Sequence, residues 1–334
     1  MTSAGLPAYA DYVSSVEAAP PARARWPFAA LAVIGIVLVL APIVTGMFPR
    51  TAKGAAMIHG FAPYVTASAL ADYRLDLAAL DDARANVLEL RARGEEPFAS
   101  ERIDRFVREY PGIRSDLGGT IDTIDRHRGD YDRLAALPSF DVLPWLLALP
   151  GVLLTAAGIF GFRRAAEGRS APVWRSVAAV AGLVLVAVPV AGGLFGAAGA
   201  GQPVIDGFGP ILTRAEVREV QGYFVTLVAA DGELNSRYVP AVRAAHPEAD
   251  LTGIAALETR WQPMTSRFAA LIGAMNDNID NFGAVAALNA STKPLGFTAF
   301  RALGWFYLVP GILALAAATA ATGKRHKTTG GDGR

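Results

Sequence analysis

Few residues in this chain have the type and spacing that chemistry demands. There are four histidines, His59, His127, His246 and His326, and no cysteine. Disulfides and thiolate metal or redox chemistry are therefore excluded. Two acidic clusters have the density of a cation site. One is Asp122, Asp125, His127, Asp130 and Asp132; the other is Asp277 and Asp280 among Asn276, Asn278 and Asn281. Neither follows the alternating oxygen ligands and turn glycine of an EF-hand loop. Both fall on the polar side of apolar stripes, where carboxylates read as a solvated helix face. Asn289-Ala290-Ser291 fits the N-glycosylation acceptor pattern. No Gly-rich phosphate loop, nucleophile elbow, zinc-binding helix or nucleic-acid signature occurs. The residues thus predict no catalytic group, no metal, no cofactor and no nucleic-acid partner: a protein that is not an enzyme.

What the chain has instead is apolar length. Of 334 residues 52% are hydrophobic and 18% charged, against about 25% charged in an ordinary soluble domain. Runs of about twenty uncharged residues lie near 28–48, 142–162, 177–200 and 302–322. Each is long enough as a helix to cross a hydrocarbon core of about 30 Å. The first follows a leader containing Asp11, Glu17 and several prolines, which is unlike a cleavable signal, so it is expected to remain as an anchor. No Asp, Glu, Lys, Arg or His lies inside the four runs, which argues against a pump or an ion-coupled transporter built from this chain alone.

The runs come in two matched pairs. Phe140, Trp145, Pro150 and Gly151 recur as Phe300, Trp305, Pro310 and Gly311, at an offset of 160. Gly35, Pro42, Gly46, Phe48, Gly60, Phe61, Pro63 and Thr66 recur at an offset of 147 as Gly182, Pro189, Gly193, Phe195, Gly207, Phe208, Pro210 and Thr213. His59 aligns with Asp206, so the internal copy does not keep that histidine. The short link between runs two and three carries Arg163, Arg164, Arg169 and Arg175 against Glu167, and the C-terminal tail is also cationic. The long segments are acidic: 12 Lys+Arg against 15 Asp+Glu over 51–139, and 7 against 10 over 201–299. The positive-inside rule then places both termini in the cytoplasm and both long segments outside.

The long segments read as helices. Leu70, Tyr73, Leu77, Leu80, Val87 and Leu90 form one stripe, and Ile113, Leu117, Ile121, Ile124, Tyr131 and Leu134 another. Between them a short helix is expected from Ser100 to Tyr110, ended by Pro111-Gly112. In the second segment Val217, Val220, Phe224, Leu227, Leu234, Tyr238 and Val242 make a stripe. A turn at His246-Pro247 follows, then Ile254, Leu257, Trp261, Met264, Phe268, Leu271, Met275, Ile279 and Phe282.

The expected fold is an all-α integral membrane protein with four transmembrane helices in two parallel tandem repeats. Each repeat is a two-span unit with an extracytoplasmic helical hairpin. A flexible cytoplasmic tail fills 1–25, repeat 1 spans 26–164, a cytoplasmic link 163–175, repeat 2 spans 176–323, and a second tail 324–334. The expected setting is the plasma (inner) membrane of a bacterial envelope. Candidate lipid or partner contacts are Phe61, Pro63, Phe208 and Pro210 where the chain leaves the bilayer, and Trp145 and Trp305 at its edge. Pro150 and Pro310 are expected to bend their helices, and Gly192 and Gly196 stand at the spacing of a helix-contact face. The expected partners are the bilayer and either a membrane-protein companion or a second copy. The expected role is a scaffold or accessory subunit. The alternatives are binding or transfer of a lipid or hydrophobic molecule in a cleft between the repeats, and a sensor with a separate signalling partner.

Overall fold

A computed structural model describes residues 25–321, so the predicted tails, with His326, lie outside the described residues but for Arg25. Among the described residues the fold is all-α, with no strand. Four helices have membrane-spanning length and hydropathy: α1 (Trp26–Val44), α5 (Leu143–Ala166, led in by a 3-10 turn Phe140–Val142), α6 (Pro172–Ala191) and α11 (Ala299–Ala320). The others are α2 (Met47–Phe61), α3 (Ala67–Ala92), α4 (Glu101–Ala135), α7 (Leu194–Phe208), α8 (Arg214–Glu233), a π-turn (Leu234–Tyr238), α9 (Val239–Ala245), α10 (Thr252–Ala290) and a 3-10 turn (Lys293–Leu295).

The first and third apolar helices stop earlier than composition implies. Gly46 and Gly193 take φ of 60° and 65°, a left-handed conformation that glycine adopts without a Cβ clash. Each glycine ends one helix and starts the next, so Phe48 belongs to α2 and Phe195 to α7. Thr66 and Thr213 then open α3 and α8, each hydroxyl accepting a backbone N–H three residues on at 3.1 Å.

The chain divides into two compact units. The first contains residues 25–45, 144–192 and 304–321, and so most of the four apolar helices. Glycine and alanine let these helices touch. A Cβ on Gly158 would stand 2.4 Å from the backbone nitrogen of Ala32, and one on Gly35 2.4 Å from that of Thr155. Farther along the chain, a Cβ on Gly311 would lie 3.0 Å from the carbonyl oxygen of Gly182. Backbones this close gain dispersion contacts that bulkier residues would prevent. Only 33% of the first apolar window and 28% of the third is buried; Val33, Val37, Val44, Leu183 and Val190 face outward. Gly158→Leu is expected to cost about 3 kcal/mol, because α1 and α5 must part to admit it. Gly196→Leu meets open space and should stay within about 0.5 kcal/mol of wild type. Thermal unfolding in mild detergent compares the two.

The second unit contains residues 46–143 and 193–303. Helices α3, α4, α8 and α10 form a closed ring, in which α3 and α8 each pack on both α4 and α10. The most extensive contacts cross between the sequence halves: α2 and α3 lie on α10, while α7 and α8 lie on α4. All the stripe residues predicted for α3 and α4 are buried.

Helix α4 does not end at Pro111-Gly112 as expected; it runs unbroken from Glu101 to Ala135. Proline at 111 has no N–H for the carbonyl of Val107. Nε of Arg84, from α3, donates to that carbonyl at 2.9 Å, so the helix continues with its acceptor satisfied.

Candidate interaction site

The second unit holds most of the residues singled out at the ends of the apolar runs. Phe61 and Phe208, the last residues of α2 and α7, are both buried. Phe208 stacks on Tyr131 of α4 with ring centroids 6.3 Å apart. The Tyr131 hydroxyl donates to the carbonyl of Ile58, which ties α4 to α2. Burial pushes the Tyr131 phenol above its ordinary range. The space left between Phe61, Phe208, Ile124 and Met275 is about 20 Å³. That is room for about one water and none for an acyl chain, so this seam is packed rather than an open cleft.

Small residues repeat this pattern along the seam. Gly54 and Gly201 let Phe140 and Phe300 approach, and those two rings meet edge to face at 6.3 Å. Gly60 faces Asn278, while Gly207 faces His127, whose Cδ2 would be 2.3 Å from an added Cβ. His127 is thus held against a neighbouring helix backbone. Pro63 and Pro210 are exposed just beyond the ends of α2 and α7.

The remaining candidates fall in the first unit, except Gly196, which belongs to the second. Trp145 and Trp305 are 53% and 56% exposed, near the starts of α5 and α11. Pro150 and Pro310 lie inside helices, and the glycine after each faces the neighbouring helix closely: a Cβ on Gly151 would lie 3.0 Å from the carbonyl oxygen of Gly35, and one on Gly311 3.0 Å from that of Gly182. Gly192 and Gly196 do not share a helix face: Gly192 caps α6, and Gly196 lies in α7 beyond the break.

Several members of the acidic clusters form ion pairs. Arg74 reaches Asp122 at 3.1 Å and Asp125 at 2.9 Å, Arg133 reaches Asp130 at 2.9 Å, and Arg214 stands 3.6 Å from Asp280. Among the described residues no three His, Asp or Glu side chains are arranged to hold a metal. Asn289 is buried, its amide donating to Gln202 at 2.8 Å and its oxygen accepting from the Phe300 N–H at 3.1 Å, so it offers no glycan acceptor.

Two polar surfaces were not visible from spacing. A groove of about 720 Å³ borders α4, α7 and α8, with Asp116, Asp206, Glu216, Glu219 and Tyr223 in its wall and Pro210 beside them. The Tyr223 oxygen lies 2.6 Å from Asp116 and 2.7 Å from Glu219. A phenol has one hydrogen, so Tyr223 donates to one of these two carboxylates at a time. Burial, with Glu219 and Asp116 nearby, raises the pKa of Glu216. The second surface surrounds the π-turn. Buried Glu233 accepts from Arg102 at 3.3 Å and Arg237 at 3.0 Å, and Arg237 sits 5.1 Å over the ring of Phe98. Burial pushes Asp231 up to about 6, against the hydrogen bond from Asn235 and with added repulsion from Glu258.

No protein-family model matches the chain, and neither a curated protein nor a solved structure matches it.

Proposed function

We propose that the protein is a non-enzymatic scaffold or accessory subunit of a bacterial inner-membrane complex. In this reading α1, α5, α6 and α11 cross the bilayer and both termini are cytoplasmic. The segments between spans one and two and between spans three and four form paired extracytoplasmic hairpins of two parallel tandem repeats. The observation that carries the reading is the crossed packing of the second unit, with α2 and α3 on α10, and α7 and α8 on α4. Such an arrangement makes two long insertions one stiff body, able to present fixed polar surfaces such as the Tyr223 groove to a companion. The apolar helices, with much of their surface outward, serve as its anchor.

The absence of cysteine makes a direct test simple. Ser115 and Ser170 are both exposed, one on α4 and one in the link before α6. In intact cells an impermeant thiol-reactive crosslinker should modify Ser115→Cys and join it to a specific companion protein. Ser170→Cys should react only after lysis. Reaction at position 170 in intact cells would contradict the orientation, and a protein modified at 115 but always recovered alone would contradict the scaffold role.

A further inference from the structure

The first unit carries an apolar groove on one flank of the α1–α5 pair. Its walls are Ile36 and Leu40 from α1, with Val152, Ala156, Ile159 and Phe160 from α5, and it encloses about 490 Å³. That volume is within the about 300–1,000 Å³ of small-molecule sites. Its one hydroxyl, on Thr155, is already satisfied by donating to the Gly151 carbonyl at 2.9 Å. The lining therefore asks for hydrocarbon and offers nothing to a polar ligand.

The groove has a charged end. Positions 152, 156 and 159 follow one face of α5, and the next residue on that face is Arg163, with Arg164 beside it. Both arginines are exposed, and neither side chain has an ion-pair or hydrogen-bond partner among the described residues. Nearby cations are engaged: Arg25 donates to the Ala166 carbonyl at 3.5 Å, Arg175 to that of Ala318 at 3.3 Å, and Arg169 pairs with Glu167 at 3.1 Å. Phe160 stacks on Trp174 at 4.9 Å, which puts an aromatic pair one turn from the arginines, where a membrane interface favours it.

We infer that this groove seats one acyl chain of an anionic phospholipid, with the lipid phosphate against Arg163 and Arg164. The inference rests on the reading that α1 and α5 cross the membrane. A helix of another chain fits less well. Partner helices seat on small residues, and those of this pair, Ala32, Gly35, Gly151 and Gly158, already face each other. What remains along the groove is one alanine, Ala156, among branched and aromatic side chains flanking a trough, with two uncommitted guanidinium groups where a phosphate would lie.

Native mass spectrometry of the detergent-solubilised full chain, with phosphatidylglycerol or phosphatidylcholine added, tests this. Wild type should retain one phosphatidylglycerol in preference to phosphatidylcholine. Arg163→Gln with Arg164→Gln should lower phosphatidylglycerol retention at least fivefold, given about fivefold per interfacial cation, and leave phosphatidylcholine unchanged. Ala156→Phe should lower retention of both lipids. Phosphatidylglycerol retention unchanged in the double arginine variant would overturn the inference, and that variant alters only exposed side chains. A dimer lost on Ala156→Phe would overturn it in favour of a contact between copies. Failure of the membrane reading itself would show separately, in the labelling of positions 115 and 170.

Discussion

Asp76→Ala is expected to lower the stability of the ring of α3, α4, α8 and α10 by about 3–5 kcal/mol, the cost of breaking a buried ion pair from one side. Asp76 is fully buried, and its carboxylate accepts from Arg260 at 2.9 Å and 3.2 Å and from Arg267 at 2.7 Å. The two arginines sit on α10 and the aspartate on α3, so the cluster fastens the two sequence halves. The carboxylate in turn holds the Arg267 guanidinium pKa above its ordinary value. Truncation removes the one buried carboxylate that both partly buried guanidinium groups bond. Replacing all three by apolar residues of similar volume should cost far less, since a filled apolar site forfeits no desolvated charge. Pulse proteolysis across a urea series in mild detergent measures both variants. Equal losses in the two would mean that the cluster acts through volume rather than charge.

The sequence was most informative where burial follows simple periods. Leu70 to Leu90 and Ile113 to Leu134 recur at helical spacing because one face of each helix meets the core, and each residue of those stripes is buried. It was less so in α10, where Ile272 and Asn278 are buried while Leu271 and Ile279 are only half-buried. Over 39 residues a helix meets successive neighbours, and its buried face changes with them. The sequence predicts a helix end at Pro111 because the remedy, Arg84, comes from another helix and leaves no local mark. The breaks at Gly46 and Gly193 had a local mark, but their glycines read equally well as small residues inside a span.

The polar residues of the core carried a signal of their own. Asp76 lies three residues after Tyr73 and four before Leu80, and Asn278 lies three after Met275 and four before Phe282. A polar residue at a stripe position must find partners inside, and these do: Asp76 on Arg260 and Arg267, Asn278 on the Ala274 carbonyl and Asn281. Asn86 caps α10 from α3 in the same way, accepting from the Ile254 N–H at 3.2 Å and donating to the Asp250 carbonyl at 2.8 Å. The Tyr223 groove left no such trace, because Asp116 and Tyr223 are 107 residues apart and meet only when α8 lies on α4.

Dividing the chain tests whether its two halves cross in the second unit. The link between α5 and α6 is short and exposed, and Gly168 adopts a positive φ of 71° there. A cut after Gly168 leaves every contact between α3 and α10 and between α4 and α7 to form between two separate chains. Each half alone would expose the apolar stripes that the other covers, an amount of uncovered surface no soluble segment tolerates. Co-expressed halves, with a tag on one only, should therefore copurify from detergent in equal amounts and match the helical content and protease resistance of the intact protein. Each half expressed alone should be degraded or aggregate. Two halves that fold singly and do not copurify would contradict the crossed packing.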